Sequence, residues 1–296
     1  MISRSGFSLL AALVLSACGG ASPFLAGATS TTTAGGTTTT TTIPATLSVN
    51  LNSSDLDLTD TANPVLSINI SGLDGTGATN TFVRAAALDV TNTGGDNYLA
   101  YTLQSVSNRR QYLALFASGT AVTAGVVATE AEFNSQFGGG TYARIDSFSI
   151  PTTGEAEYTG TYAGLITHSP DGGTTDRAAI TSGTIELNVD FSEPNIEGGV
   201  TGRTITDSVS AGSYFGGTST LSDLVLKVTK PTDGVFAGDV FIGVEDVGAY
   251  GGVLGGVDAS EVAGVLVFNP FPADTETFEY GTFVLPCTAR TGSTCP

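Results

Sequence analysis

The sequence predicts an all-β protein because of its composition, its segments of alternating apolar and polar residues, and its turn signals. Glycine is abundant at 39 residues, Trp is absent and Met occurs once. Many short stretches alternate between apolar and polar residues, which is typical of strands with one buried face. Segments rich in Gly, Asn and Ser separate these stretches at a spacing that predicts a barrel or a sandwich.

The first element is an export signal. Arg4 precedes the apolar run Phe7–Leu15, which is too short to span a bilayer. The segment Leu15-Ser16-Ala17-Cys18 resembles a bacterial lipobox, which implies removal of residues 1–17 and acyl chains on the Cys18 thiol that anchor the mature protein to a membrane. Because Gly19 rather than Asp follows Cys18, the outer membrane is the expected location, with the protein either on the cell surface or facing the periplasm. The alternative is an ordinary signal peptide followed by an incidental cysteine.

Residues 18–44 are predicted to form a disordered tether. The stretch from Thr29 to Thr42 contains little besides threonine. Such a segment buries too little apolar surface to offset the entropy of ordering it. The sequence leaves open whether these threonines are glycosylated.

Residues 45–150 are predicted to form a β-rich unit with one helix. The turn-rich segment Thr91–Asn97 separates two of its strands. A helix is predicted at Thr129–Gln136, with Thr129 as N-cap and acidic residues in the first turn. The strands are predicted at Leu47–Leu51, Leu66–Ile70, Thr81–Val90, Tyr98–Val106 and Arg110–Phe116.

Residues 151–296 alternate more regularly. Ile185, Leu187 and Val189 face one way and the polar residues between them face the other. Glycines inside the strands mark bends or close backbone approach, as a small closed barrel requires. The strands are predicted at Glu155–Gly164, Ile185–Phe191, Ile196–Thr206, Leu221–Thr229, Val235–Val244, Glu261–Phe268 and Thr277–Leu285.

The remaining cysteines, Cys287 and Cys295, lie at the C-terminus. In an oxidising compartment they are expected to form a disulfide that pins the tail. The alternative, a redox-active pair, lacks the CxxC spacing.

The formal net charge of −18 disfavours nucleic acid and anionic membrane surfaces as partners. Catalysis is disfavoured because His168 is the only histidine and no serine has the G-x-S-x-G setting. We interpret His168 as a solvated loop residue, with a ligand contact as the alternative. One histidine and a disulfide cannot build a structural zinc site, so no metal is predicted.

We interpret the other notable polar groups as structural rather than functional. The run Asp55–Asp60 lacks the Gly and Glu that an EF-hand loop needs. Glu155, Glu157 and Asp190 are interpreted as the polar outer face of strands rather than as a catalytic carboxylate pair. Four tyrosines are interpreted as barrel wall, with ligand binding as the alternative; they are Tyr158, Tyr162, Tyr214 and Tyr250.

Four motifs between Glu155 and Phe268 resemble, in order, motifs of the transferrin-binding protein B family. Glu157–Gly164 resembles its opening barrel strand, and Asn188–Phe191 with Ile196–Val200 resembles its "V-D-F … hydrophobic-x-G" pair. The remaining two are its "F-x-G" strand at Phe236–Gly238 and its closing "G-x-x-A-x-E-x-G-G" strand at Gly255–Val265.

The resemblance implies an eight-stranded antiparallel barrel, residues 151–296, preceded by a β-rich handle domain, residues 45–150. It also implies a non-catalytic surface lipoprotein that binds an extracellular protein or small ligand, in iron or haem acquisition. The alternative is a structural or adhesive surface lipoprotein. No motif identifies ligand-binding residues. Haem is the one cofactor that the resemblance suggests, and its binding is to be tested.

Overall fold

The structure is a computed structural model that describes residues 29–34, 37–42, 51–57, 64–70, 78–104, 111–132, 135–168, 178–206, 220–273, 277–292 and 294–296. The predictions of a signal peptide at 1–17 and of lipid on Cys18 lie outside these residues. In the described ranges no helix has the length and apolar character needed to cross a bilayer.

The N-terminal half contains two sheets. A hairpin of β1 (Thr29–Ala34) and β2 (Thr37–Thr42) forms one sheet, and seven strands in sequence order form a curled antiparallel sheet beside it. We call the seven-stranded sheet the handle sheet. Its strands are β3 (Leu51–Asp57), β4 (Val65–Ile70), β5 (Ala78–Arg84), β6 (Leu99–Gln104), β7 (Gln111–Ser118), β8 (Val122–Glu132) and β9 (Ser135–Arg144).

The C-terminal half is a closed barrel of eight antiparallel strands, each paired with the next, with β10 and β17 paired to complete the ring. Its strands are β10 (Glu155–His168), β11 (Ala179–Asp190), β12 (Asn195–Ile205), β13 (Leu224–Thr229), β14 (Val235–Ile242), β15 (Glu245–Gly255), β16 (Glu261–Phe268) and β17 (Thr277–Arg290). The predicted fold class, an eight-stranded antiparallel barrel preceded by a β-rich unit, is confirmed.

Strand alternation explains how the barrel acquires its core. In β11, Ile185, Leu187 and Val189 are buried, whereas Glu186 and Asn188 are exposed. Successive side chains of a strand point to opposite faces, so the apolar set enters the lumen and the polar set faces solvent. The other barrel strands add Leu, Val, Phe and Tyr side chains to the same cluster.

The handle sheet packs one face against the outside of the barrel. A single apolar cluster joins Leu113, Leu115 and Val126 of the handle sheet to Val265 of β16 and Val284 of β17. This contact buries the outer side of β16 and part of the outer side of β10, β15 and β17, whereas Glu155 of β10 and Glu245 of β15 stay exposed. The outer side of β11–β14 is exposed, and we call it the open wall.

The predicted helix at Thr129–Gln136 is wrong, because β8 and β9 form a hairpin there. The Thr129 hydroxyl donates to the carbonyl oxygen of Gln111 on β7 rather than capping a helix. Residues 121–129 are all buried, since one face of β8 contacts the barrel and the other lines the inside of the curled sheet. Pairing with two neighbouring strands therefore overrides the local helix signals.

The described part of the Thr-rich segment forms a hairpin, and the tether at residues 18–44 stays a prediction. Thr29–Ala34 pairs in antiparallel register with Thr37–Thr42, and β1 lies beside β3 and β9. Threonine is β-branched and favours extended backbone, and a hairpin satisfies backbone hydrogen bonds without an apolar core of its own. At the other end of the chain, the predicted disulfide between Cys287 and Cys295 is present.

Candidate functional site

The lumen of the barrel is filled by side chains. Tyr158, Tyr162, Tyr250, Phe268 and Phe283 are completely buried inside it. A methyl group added at Gly281 would overlap the Tyr162 ring, so this glycine lets the ring lie directly on β17. The predicted wall role of the three described tyrosines agrees with this arrangement, whereas Tyr214 lies outside the described residues.

One polar network crosses the lumen. Arg203 on β12 forms a salt bridge with Glu279 on β17, and both side chains are fully buried. Oε1 of Glu279 accepts hydrogen bonds from the hydroxyls of Tyr162 and Thr181, each at 2.7 Å. Burial and the nearby Glu279 carboxylate raise the pKa of Tyr162 well above its usual value.

The Arg203 guanidinium has further partners. Nη1 donates to the carbonyl oxygen of Ser222 at 2.5 Å, and the group lies 4.9 Å from the centre of the Phe268 ring. Its Nε has no hydrogen-bond partner. The network connects strands that are not neighbours in the barrel, so it serves as an internal brace.

A cleft of about 520 Å³ lies on the barrel surface at one end of the open wall. It forms where β10, β11 and β12 begin or end and where β17 runs into the C-terminal tail. Its polar lining residues are Glu155, Glu157, Asn188, Asp190, Asn195, Glu197, Arg290 and Thr291.

Strand register arranges the acidic residues of the cleft in two rows. Glu155 pairs with Asp190, which pairs with Asn195 on the next strand. The second row runs from Glu157 through Asn188 to Glu197. Directly opposed residues of antiparallel strands have Cβ atoms about 4.5–5.5 Å apart. Four carboxylates therefore lie within reach of one extended ligand.

No Lys or Arg in the described part of the chain forms a salt bridge with these four carboxylates. Glu157 accepts a hydrogen bond from Thr159 at 2.9 Å. Asp190 accepts bonds from the backbone amides of Ser192 and Glu193, so part of its role is to hold the turn after β11. Like charges opposed across a strand pair are destabilising, and no Lys or Arg in the described residues forms a salt bridge with Glu155 or Asp190.

The C-terminal tail builds the remaining side of the cleft. The amide of Thr291 donates to the carbonyl oxygen of Glu155 at 2.9 Å, and the Thr288 hydroxyl donates to that of Glu157 at 3.0 Å. Arg290 donates to the carbonyl oxygen of Asp258 and lies 5.5 Å from the centre of the Phe191 ring. Its charge is thus engaged with a carbonyl and a ring rather than with the carboxylates.

The sequence placed Glu155, Glu157 and Asp190 on the outer face of the strands, and the structure brings them together there. The predicted turn histidine, His168, is the last residue of β10, and its side chain lies outside the described residues. No group of three or more His, Cys, Asp or Glu in the described chain is arranged to hold a metal ion.

Sequence reasoning missed Glu197 and Arg290 in the cleft, and Arg203 and Glu279 in the lumen. For Glu197 a signal existed, since it stands at an outward position of the predicted strand Ile196–Thr206. Glu279 offered none, because β17 mixes Thr, Tyr and Gly with its apolar residues and the inward phase cannot be read from them.

Comparison with solved structures finds similar folds at low identity. The intact Ap-TbpB with N and C lobes has a TM-score of 0.37 and 12% identity, over 77% of this chain and 52% of its own. A transferrin binding protein B antigen from Haemophilus parasuis Hp5 has 0.37 and 13%, over 77% and 52%. The isotype 1 protein from serogroup B Neisseria meningitidis has 0.36 and 14%, over 76% and 50%.

The chain thus spans about half the length of the solved structures that it matches. At these identities and TM-scores the similarity assigns no role to any residue of the cleft. No protein-family model matches the chain, and no curated protein matches it.

Proposed function

We propose that this protein is a non-catalytic surface lipoprotein that binds a cationic segment of an extracellular protein in the cleft of the open wall. The observation that carries the proposal is the pair of carboxylate rows around a cleft of about 520 Å³, since none of these carboxylates forms a salt bridge within the described residues. Lysine and arginine side chains of a partner would relieve the repulsion between Glu155 and Asp190 and pair with Glu157 and Glu197. The net charge of −18 would also steer a basic partner toward the protein.

A surface mode of binding is favoured over a ligand held inside the barrel. Small-molecule carriers of this size hold their ligand in the lumen, whereas here aromatic rings and the Arg203–Glu279 brace occupy it. We extend the proposal to iron or haem acquisition on the sequence resemblance alone, with a protein rather than haem itself as the bound partner.

The non-catalytic part of the proposal is supported by the separation of the chemical groups. The cleft lies at the Glu155 end of β10 and His168 lies at the other end of that strand. At 3.2–3.4 Å per residue these ends are roughly 40 Å apart. His168 therefore cannot act as a base or an acid together with the cleft carboxylates.

The lipid anchor belongs to the proposal through the lipobox at Leu15–Cys18. We expect Cys18→Ala to release the protein from the membrane fraction, because the thiol that would carry diacylglycerol is lost and no other membrane segment is predicted. Fractionation of cells that express the wild type and the variant measures this. A variant that stays in the membrane fraction would refute the lipid anchor.

The cleft is tested with the mature chain carrying Cys18→Ala, titrated with an oligolysine peptide at about 0.15 M salt. The triple variant Glu155→Gln, Glu157→Gln, Glu197→Gln keeps the side-chain shapes and removes three charges. We expect it to weaken binding about tenfold, as three partly exposed ion pairs worth about 0.5 kcal/mol each imply. Asp190 is left unchanged because it also holds the turn after β11.

The matched control is Asp96→Asn, Asp239→Asn, Glu245→Gln, which removes three exposed charges that do not line the cleft. We expect this control to bind within about twofold of the parent protein, because screened distant charges contribute little. Equal weakening in both triple variants would mean that only net charge attracts the peptide, and the cleft would lose its role.

A further inference from the structure

The two strands that close the barrel do not pair along their whole length. β10 and β17 pair at Tyr158 with Cys287 and again at Ala163 with Thr282, and the register shifts at Glu157/Tyr158. Between these points, residues 159–162 of β10 and 283–286 of β17 form no ladder with each other. We call this gap the seam.

Two side chains of the β-rich unit predicted at residues 45–150, which we call the handle unit, form hydrogen bonds to both strands in place of the missing ladder. The Tyr98 hydroxyl donates to the carbonyl oxygen of Thr161 at 2.6 Å and accepts from the amide of Val284 at 3.1 Å. The Asn92 carboxamide accepts from the amide of Thr161 at 3.1 Å and donates to the carbonyl oxygen of Val284 at 3.2 Å. On each strand, one backbone amide and one carbonyl thus form hydrogen bonds with side chains of the handle unit.

These bridging groups are buried and held in place. Tyr98 is completely buried, and burial raises the pKa of its hydroxyl, so the group stays protonated and able to donate. Asn92 is 6% exposed, and its oxygen also accepts from the amide of Gly94 in the same turn. A Cβ at Gly94 would lie 2.6 Å from the carbonyl oxygen of Thr159, so the turn fits closely against the seam.

We infer that the turn at residues 91–98 of the handle unit is a strap that closes the barrel seam through Asn92 and Tyr98. At residues 159–162 and 283–286 the two strands are joined only while the strap is docked. Undocking would leave the amides and carbonyls of Thr161 and Val284 without partners in a buried setting, which is unfavourable unless the strands separate and admit water. Local opening of the protein is therefore expected to begin at the seam.

The inference is tested by amide hydrogen exchange on the mature chain carrying Cys18→Ala. Tyr98→Phe keeps the ring and removes the hydroxyl, so the Val284 amide loses its acceptor. Asn92→Ala removes the acceptor of the Thr161 amide instead. We expect each variant to raise the exchange rate of its own amide by about tenfold or more. The Val265 amide of β16, a strand that pairs without a gap with both β15 and β17, should keep its parental rate.

The chain offers a matched control in Tyr142→Phe. Tyr142 belongs to the same contact between handle sheet and barrel, and its buried hydroxyl has no hydrogen-bond partner. We expect this variant to leave both seam amides unchanged. The inference is overturned if Tyr98→Phe and Asn92→Ala leave both seam amides at parental rates, or if they accelerate the Val265 amide as much as the seam amides.

Discussion

Glu279→Gln is expected to lower the free energy of unfolding by about 3–5 kcal/mol. The substitution keeps an oxygen that can accept from Tyr162 and Thr181, so those hydrogen bonds have a replacement. The substitution removes the negative charge beside Arg203. The Arg203 side chain is completely buried, so its positive charge is left without a partner. An uncompensated charge in the lumen is far more costly than a lost surface ion pair. Denaturant unfolding followed by circular dichroism measures the loss, since the chain has no Trp for fluorescence.

A double variant distinguishes the effect of the uncompensated charge on stability from the effect of the changed side-chain shape. Arg203→Met together with Glu279→Gln removes both charges and leaves the Gln oxygen for the two hydroxyls. We expect it to recover at least half of the loss caused by Glu279→Gln alone, because no isolated charge remains. Glu186→Gln on the exposed face of β11 is the surface control, expected to cost no more than about 0.5 kcal/mol. A double variant no more stable than Glu279→Gln would show that the buried charge is not the cause.

Glu261→Ala is expected to lower the free energy of unfolding by about 2 kcal/mol. The carboxylate of Glu261 on β16 accepts four hydrogen bonds from the turn between β7 and β8: from the amide and hydroxyl of Thr120, and from the amides of Ala121 and Val122. Their lengths range from 2.6 to 3.2 Å. Hydrogen bonds to a charged acceptor are stronger than neutral ones.

The control for Glu261 is graded. Glu261→Gln keeps one acceptor oxygen, so its free energy of unfolding should lie between that of the wild type and that of Glu261→Ala. Thr120→Val removes only the hydroxyl bond and should cost less than Glu261→Ala. If Glu261→Ala is as stable as the wild type, water replaces the carboxylate at this turn and Glu261 does not fasten the handle sheet to the barrel.

The sequence predicted the barrel better than the handle sheet for a physical reason. Strands of the open wall bury one face only, so β11 and β12 show the alternation that predicts a strand. β8 is buried on both faces and shows no alternation, which let the helix signals at Thr129 and Glu132 prevail. β15 was missed because glycines and buried residues crowd its second half, Tyr250–Gly255.

The candidate site was predictable only in part. Outward alternation places Glu155, Glu157 and Asp190 on the barrel surface, but it cannot tell which strands are neighbours. Strand register makes Glu197 a member of the second row, and the β17 tail brings Arg290 to the cleft. The strap at Asn92 and Tyr98 was beyond prediction, since it joins residues more than 60 positions apart in the chain.

Because the handle sheet packs on the barrel, antibodies and other large molecules in solution can contact only part of the outer barrel surface. The outer side of β16 and part of β10, β15 and β17 are covered, and most of the outer side of β11–β14 is exposed. Antibodies raised against the folded protein should therefore map to the open wall and to the outer parts of the handle unit. Antibodies raised against the denatured chain will include a class that recognises β16 and β17 and fails to bind the intact protein.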